Sequence, residues 1–413
     1  MITTDSRKII PGSLFFAIKG DSFDGNDFAM QALENGSALA IVDREFPKQN
    51  NRLFRVDNVL KSLQDLATCH REKLGLKVLA ITGSNGKTTT KELIQRVLLK
   101  KFKSLATEGN LNNHIGVPLT LLSLTSGHEI AVVEMGANHP GEIAQLCEIA
   151  RPDYGIITNV GKAHLEGFGS LEGVVKAKTE LYAYLRKSGE KVFINQDNDL
   201  LVKEATGLDL YSYGNKNADC IGKITGIHPF VAFECNIQGK SISIQTRLLG
   251  KYNFENAMAA VAIGSFFEIS PDAIREAIES YEPSNNRSQI IQTPNNTIIL
   301  DAYNANPSSM KVAIENFAES DFSNKILILG DMAELGKESK NEHAAIVELL
   351  TKFEFRDTLL VGPMFNEIPH NPYRTFDTIS NLLQYLNDHP IRNSTLLLKA
   401  SRKMQLEKIV NLL

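Results

Sequence analysis

The chain has 413 residues, with 44 lysines and arginines against 48 aspartates and glutamates, 43% hydrophobic and 22% charged residues. This is the balance of an ordinary globular protein, too long for one core and expected to form two or three domains. A net charge of −4 offers no global field for nucleic acid or an anionic membrane, so any anionic ligand must be held by local sites.

The start, "MITTDSRKII", lacks the apolar core of a signal peptide, and the longest apolar stretch, around Ala257 to Phe267, is too short to cross a bilayer. Cys69, Cys147, Cys220 and Cys235 show no CxxC spacing. A reduced, cytoplasmic setting is expected, with no nucleic-acid partner and no membrane insertion.

Residues 1–76 alternate short apolar runs ("SLFFAI", "ALAIVD") with glycine-bearing turns, the pattern of a small α/β unit. From Lys77 the strand-like runs "KVLAIT", "EIAVVEMG" and "YGIITNVG" alternate with helical patterns, which predicts a parallel sheet over 77–283 with its ligand at the carboxyl ends of the strands. The first of these runs leads directly into "GSNGKTT", Gly83 to Thr89. A glycine turn between strand and helix lets the N–H groups of Gly83, Ser84, Asn85 and Gly86 surround phosphate oxygens, with Lys87 reaching the terminal phosphates and Thr88 supplying a hydroxyl to Mg²⁺. Ile81 stands where the first glycine of the usual GxxxxGK[ST] loop would be.

Glu134 ends the strand "IAVVE", where a carboxylate can complete a hard-cation site; a solvated strand-end charge is the plainer account. His164 follows a third strand, and a satisfied polar histidine there is as reasonable as a ligand. The run "EPSNN" at 282–286 predicts a hinge. Beyond it, "SQIIQT" and "TIILDA" around "PNN" predict a hairpin, followed by three strand–helix alternations begun by "KILILG", "TLLVG" and "STLLLKA". Residues 284–413 therefore read as a Rossmann-like α/β domain, and the fold class as α/β with three domains.

The segments "TGSNGKTT", "TEGNLNNHIGVPLTLL", "VVEMGANHPGEI", "TNVGKAHLEGFGSLEGVVKAKTELY", "GKYNFENAMAA" and "LDAYNANPSSM" together resemble the Mur ligases. "LILGDMAELG" and "DAYNANPSSM" point to the members that add D-alanyl-D-alanine to UDP-N-acetylmuramoyl-tripeptide. The diamino-acid-adding Mur ligases and folylpolyglutamate synthase are the nearest alternatives; a "DNPR"-type motif of the former is absent, and the latter is not expected to begin "DSRKIIPGSLFFAIKG".

The resemblance implies an N-terminal domain for the UDP end of the substrate, a central ATPase domain, a C-terminal Rossmann-like domain and an acyl-phosphate route to the amide. It implies ATP and two Mg²⁺ ions, and a monomer. Lys87 and Thr88 match the phosphate-loop lysine and metal-binding threonine, Glu134 the shared acidic ligand and His164 the second-metal histidine. Lys178 in "VVKAKTELY" matches the lysine carbamylated by CO₂, with Lys176 as competitor. Asn253 and Asn256 match nucleotide contacts, although asparagine before an apolar run is also a common helix N-cap. Arg287 matches the arginine that meets ATP phosphate on closure, Asp301 the carboxylate near the ribose, and Tyr303, Asn304 and Asn306 the loop facing nucleotide and amine.

Asp5, Ser6, Arg7 and Lys19 correspond to the uridine diphosphate pocket, and Asn112 and Asn113 to the sugar-peptide. Relatives commonly carry further residues before "DSR", so a short or truncated first domain is expected. They also carry glycine where Ala400 stands in "KAS", so a turn with positive φ would be strained there.

Overall fold

The computed structural model describes residues 1–20, 22–47, 50–355 and 357–413. Three sheets follow one another along the chain. In the first, Ile2–Thr3, Leu14–Phe16, Leu39–Val42 and Leu53–Arg55 pair in parallel, each beside its predecessor. The helix Val59–Leu74 then carries the chain onward. It starts where the Asn58 side chain accepts the Lys61 N–H and stops at Gly75, whose φ of 63° suits a residue without a side chain.

The second sheet has nine strands. Lys77–Thr82 lies between Ile130–Glu134 and Tyr154–Ile157, parallel to both, and Ile81 pairs with Glu134 on one side and Ile156 on the other. Strands covered on both faces read as continuous apolar runs, and Val78, Leu79, Ala80 and Ile81 are fully buried. The consequence is positional. The loops after Thr82, Glu134 and Ile157 all leave from the same edge of the sheet.

Beyond the parallel strands, Cys220–Gly226, Ala232–Ile237 and Lys240–Gln245 extend the sheet by an antiparallel meander. The sequence reading did not single this part out. The helix Asn253–Phe266 is apolar around most of its circumference and correspondingly buried.

The third sheet runs Gln289–Gln292, Asn296–Asp301, Ser394–Lys399, Lys325–Gly330, Thr358–Val361, Arg374–Phe376. Its first pair is the expected antiparallel hairpin and the rest is parallel. One expectation is corrected. The last strand is followed by 3-10 turns at Arg402–Met404 and Leu406–Leu412, not by an α-helix, because Gln405 between them adopts a left-handed φ of 53°. The helix of that unit, Ile379–Asp388, precedes the strand instead.

The run at 282–286 forms no regular element, and Asn285 and Asn286 both have positive φ. Ala400 is not strained: it lies outside the positive-φ residues, fully buried, and its methyl fills the space a side chain on Gly330 would need.

Candidate active site

The edge loops of the second sheet face the third sheet across a cleft of about 930 Å³. On one wall the glycine turn leads into the helix Lys87–Leu98. Its shape is fixed by neighbours rather than by its own hydrogen bonds. Asn85 N–H donates to Asn159 Oδ1 at 3.0 Å, Thr158 Oγ1 donates to the Asn85 carbonyl at 2.7 Å, and Ser84 Oγ donates to the Gly161 carbonyl at 3.0 Å.

Gly83 has a φ of +142°, and a β-carbon on it would lie 2.1 Å from Thr158 Oγ1. Glycine is therefore required by both conformation and space. Lys87 Nζ turns back over the loop to the Gly83 carbonyl at 2.7 Å, and burial lowers its pKa against the opposing pull of Glu134.

Glu134 is 2% exposed and fully engaged. Thr88 Oγ1 donates to its Oε2 at 3.0 Å and Asn112 Nδ2 to its Oε1 at 2.8 Å, with Lys91 Nζ 3.8 Å away. The solvated strand-end account is thereby excluded, since a carboxylate at this depth is held by donors. Among the described residues no three His, Cys, Asp or Glu side chains gather as a ready-made cation site. The Thr88–Glu134 pair nonetheless offers the oxygen donors Mg²⁺ prefers, a usual arrangement where phosphates complete the shell.

Lys178 lies behind this wall. It is 1% exposed, its Nζ is 3.4 Å from the Ala137 carbonyl and over the ring of Phe168, and burial together with Lys87 pushes its pKa down to about 7. Lys176, two residues earlier, is exposed. Lys178 therefore presents an amine substantially unprotonated near neutral pH.

His164 begins the short helix Leu165–Phe168 with a φ of 51° and its Nδ1 meets the Glu334 carboxylate of the third sheet's loops. That contact holds the Glu334 acid below its usual range.

On the opposite wall, Asp301 Oδ2 pairs with the buried Lys399 Nζ at 2.5 Å, and its Oδ1 accepts the Ser288 N–H at 3.2 Å. The Arg287 guanidinium stacks 3.7 Å from the centre of the Tyr303 ring, and Arg402 approaches the same ring at 5.2 Å. Asn304 accepts the Ala305 N–H, while Asn306 caps the helix Pro307–Glu319 and reaches across the cleft, donating from Nδ2 to Asn85 Oδ1 at 2.9 Å.

Asn253 and Asn256 do not cap their helix. Asn253 donates back to the Leu249 carbonyl at 2.7 Å, Asn256 donates to Asn253, and Thr90 donates to Asn256. The helix begins after Tyr252, so Asn253 is already its first helical residue, and its amide is directed back to the Leu249 carbonyl and not onto a first-turn N–H.

The cleft thus gathers Ser84, Asn85, Gly86, Lys87, Thr88, Thr89, Asn112, Asn113, Glu134, His164, Asn253, Asn256, Arg287, Asp301, Tyr303, Asn304 and Asn306. Asp5, Ser6, Arg7 and Lys19 lie outside it, in the loops that follow the first two strands of the first sheet. There Arg7 binds Asp5 through Nε at 2.8 Å and lowers the acid to about 2, while Lys19 lies 3.5 Å from Asp24. Sequence reasoning gave no site role to Glu334, Ser308 or Tyr252, which also border the cleft. Only Glu334 carried a usable signal, as a loop residue just beyond the carboxyl end of a parallel strand.

The family model described as Mur ligase middle domain matches residues 81–264, the Mur ligase glutamate ligase domain matches 286–402, and the Mur ligase family catalytic domain matches 1–71. UDP-N-acetylmuramoyl-tripeptide–D-alanyl-D-alanine ligase of Bacillus subtilis is 36% identical over 422 residues, covering 99% of this chain and 92% of the relative. MurF from Acinetobacter baumannii superposes with a TM-score of 0.91 at 31% identity, covering 99% of this chain and 92% of that one. MurF from Thermotoga maritima, in complex with ADP, gives 0.87 at 29% identity over 100% and 96% of the two chains. With a full-length relative at this identity and the phosphate loop facing the third sheet across one cleft, the chain belongs to the Mur ligase family.

Proposed function

We propose that the chain is an ATP-dependent amide ligase that adds D-alanyl-D-alanine to UDP-N-acetylmuramoyl-tripeptide in peptidoglycan precursor synthesis. The observation that carries this reading, beside the full-length kinship, is that the phosphate loop, the Thr88–Glu134 pair and Arg287 border a single cleft. The substrate's peptide carboxylate attacks the γ-phosphorus of ATP, releasing ADP and leaving an acyl phosphate. The dipeptide's amine then attacks the acyl carbon, phosphate departs and the amine gives up a proton. No protein nucleophile is needed.

Each residue of the cleft has a task in this scheme. The N–H groups at the start of the helix Lys87–Leu98 and the Lys87 side chain hold the phosphates, the N–H groups of Ser84 and Asn85 being already engaged by Asn159, and Arg287 adds a second positive charge from the facing wall. Asn253, Asn256, Asp301, Tyr303 and Asn304 bind nucleoside and shape the pocket, while Asn112, Asn113 and Asn306 face the sugar-peptide and the amine.

Thr88, Glu134, His164 and Lys178 would hold two Mg²⁺ ions, which supply charge to offset the repulsion between carboxylate and triphosphate. The lowered pKa of Lys178 supports its carbamylation: the free amine attacks CO₂, an N–C bond forms, one proton leaves and an anionic oxygen donor replaces a cation. The first sheet, with Asp5, Ser6, Arg7 and Lys19, takes the UDP end, so that residues 1–76, 77–283 and 284–413 serve nucleotide-sugar binding, ATP chemistry and amine delivery.

The reaction is assigned to the cytoplasm; among the described residues no helix is long and apolar enough to cross a membrane. A monomer suffices for it, since every assigned group lies on one chain.

The test is a coupled assay with Mg-ATP and UDP-N-acetylmuramoyl-tripeptide. Phosphate release is expected to rise strongly only when D-alanyl-D-alanine is present, with an equal yield of amide. Release that ignores the dipeptide, or that follows a free diamino acid or glutamate instead, points to another ligase of the superfamily.

A further inference from the structure

The loop after Lys325–Gly330 is anchored unusually well for an edge loop. His343 is fully buried, its Nε2 accepts the Met332 N–H at 3.0 Å, and its Nδ1–H donates to the Ser339 carbonyl at 2.7 Å. Asp331 accepts N–H groups of Met364 and Phe365 at 3.0 and 3.1 Å. From this base Glu334 extends to the second sheet's loops and makes two contacts there: its main-chain carbonyl accepts the Glu166 N–H at 3.1 Å, and its carboxylate meets His164 Nδ1.

Both partners are held with positive φ, 63° for Glu334 and 51° for His164. A non-glycine residue in this region costs on the order of 1 kcal/mol, so two facing one another across a cleft mark a contact that the surrounding packing enforces.

We propose that Glu334 is a positioning residue that joins docking of the third sheet's loops to the orientation of His164. A carboxylate can only accept, so a hydrogen bond between the two groups requires the proton on Nδ1 and leaves Nε2 as the nitrogen that can serve a cation. When residues 331–336 move away, the imidazole loses both its tautomer preference and its tether. The ligase then completes its cation-binding side chains only when the domain that delivers the amine is docked. This inference rests on the role given to His164 above.

The test uses the full chain with ¹⁵N-labelled histidine, the His164 signals being assigned with H164N. Wild type is expected to show Nδ1 protonated and Nε2 unprotonated at His164; E334A is expected to show mixed tautomers, and E334Q, whose amide oxygen still accepts, to stay near wild type. In the ligase assay kcat of E334A is expected to fall about 10- to 100-fold, as for other groups that orient metal-binding histidines, with the KM for UDP-N-acetylmuramoyl-tripeptide little changed.

E334G separates this role from a merely structural one. Glycine tolerates the backbone conformation, so E334G should unfold no more easily than wild type yet lose kcat like E334A. Unchanged His164 signals in E334A and E334G, or unchanged kcat, overturn the proposal. If the His164 signals respond as expected while wild type shows no dipeptide-dependent phosphate release, the contact stands and the assigned reaction fails.

Discussion

Lys178 shows how much depends on where a single side chain ends. Two lysines two residues apart on one helix differ in that Lys176 is exposed and Lys178 is 1% exposed, and burial pushes the pKa of Lys178 down to about 7. The free energy follows from linkage. The unfolded chain keeps this lysine protonated up to about its ordinary value of 10.5, whereas the folded chain releases the proton near 7. Stability therefore rises as pH climbs through that window.

K178M removes the group that must give up its proton. In CO₂-free buffer at pH 7 it is expected to raise the free energy of unfolding by roughly 1–3 kcal/mol, each pKa unit being about 1.4 kcal/mol, less what the Ala137 carbonyl loses as a partner. That gain should vanish as pH approaches 10.5, while ligase activity falls by at least about 100-fold. Urea unfolding at several pH values checks the first statement and the coupled assay the second. A variant that is less stable at pH 7 than at pH 10 relative to wild type has the wrong sign for a buried amine.

At the scale of elements, the phosphate loop was legible because everything it needs lies within a few consecutive residues: a buried apolar strand, two glycines with positive φ, and a helix that starts at Lys87. The absent first glycine is accounted for by the strand itself, since Ile81 is still paired within the sheet and fully buried, which leaves the turn to begin at Gly83. G83A is expected to displace the turn. Its β-carbon would overlap Thr158 and its backbone would be strained, at a cost of roughly 1–3 kcal/mol, and the affinity for a fluorescent ATP analogue should drop by more than tenfold. Unchanged affinity would mean that the turn does not hold the nucleotide.

The hairpin at 289–301 was equally readable from two short apolar runs around a proline–asparagine turn. The end of the chain was not. "RKMQLEKIVNLL" has helical periodicity, but Gln405 turns left-handed and the segment wraps the sheet as 3-10 turns, because Leu406 and Ile409 find their burial there. The plainer account of Asn253 and Asn256 as helix caps does not hold either, each amide being taken up by a buried partner that local sequence does not reveal.

For the whole molecule the decisive contacts are those between the second and third sheets. Asn306 reaches Asn85, Lys162 pairs with Glu342 at 2.6 Å, and Glu334 meets His164. The Lys162 side chain is half exposed, so its pair contributes at most about 0.5 kcal/mol, and the Asn306–Asn85 bond adds about 1 kcal/mol. Contacts this weak suit walls that must part and meet again. The K162A/N306A double variant is expected to have a larger radius of gyration than wild type by small-angle scattering, and substrate with a non-hydrolysable ATP analogue should compact both proteins. If neither the variant nor the ligands change the scattering, the cleft does not open and close.

Sequence alone determined the alternation of strands and helices, the glycine turn between strand and helix, and the family, because each of those is written in spacing along a few dozen neighbouring residues. Tertiary structure decided that Lys178 is buried, which carboxylate meets His164, and that Ala400 fits where glycine was expected, Gly330 having made room for it. Loss of water around a side chain and contact between segments some 170 residues apart depend on how distant parts of the chain pack. No local pattern carries that information.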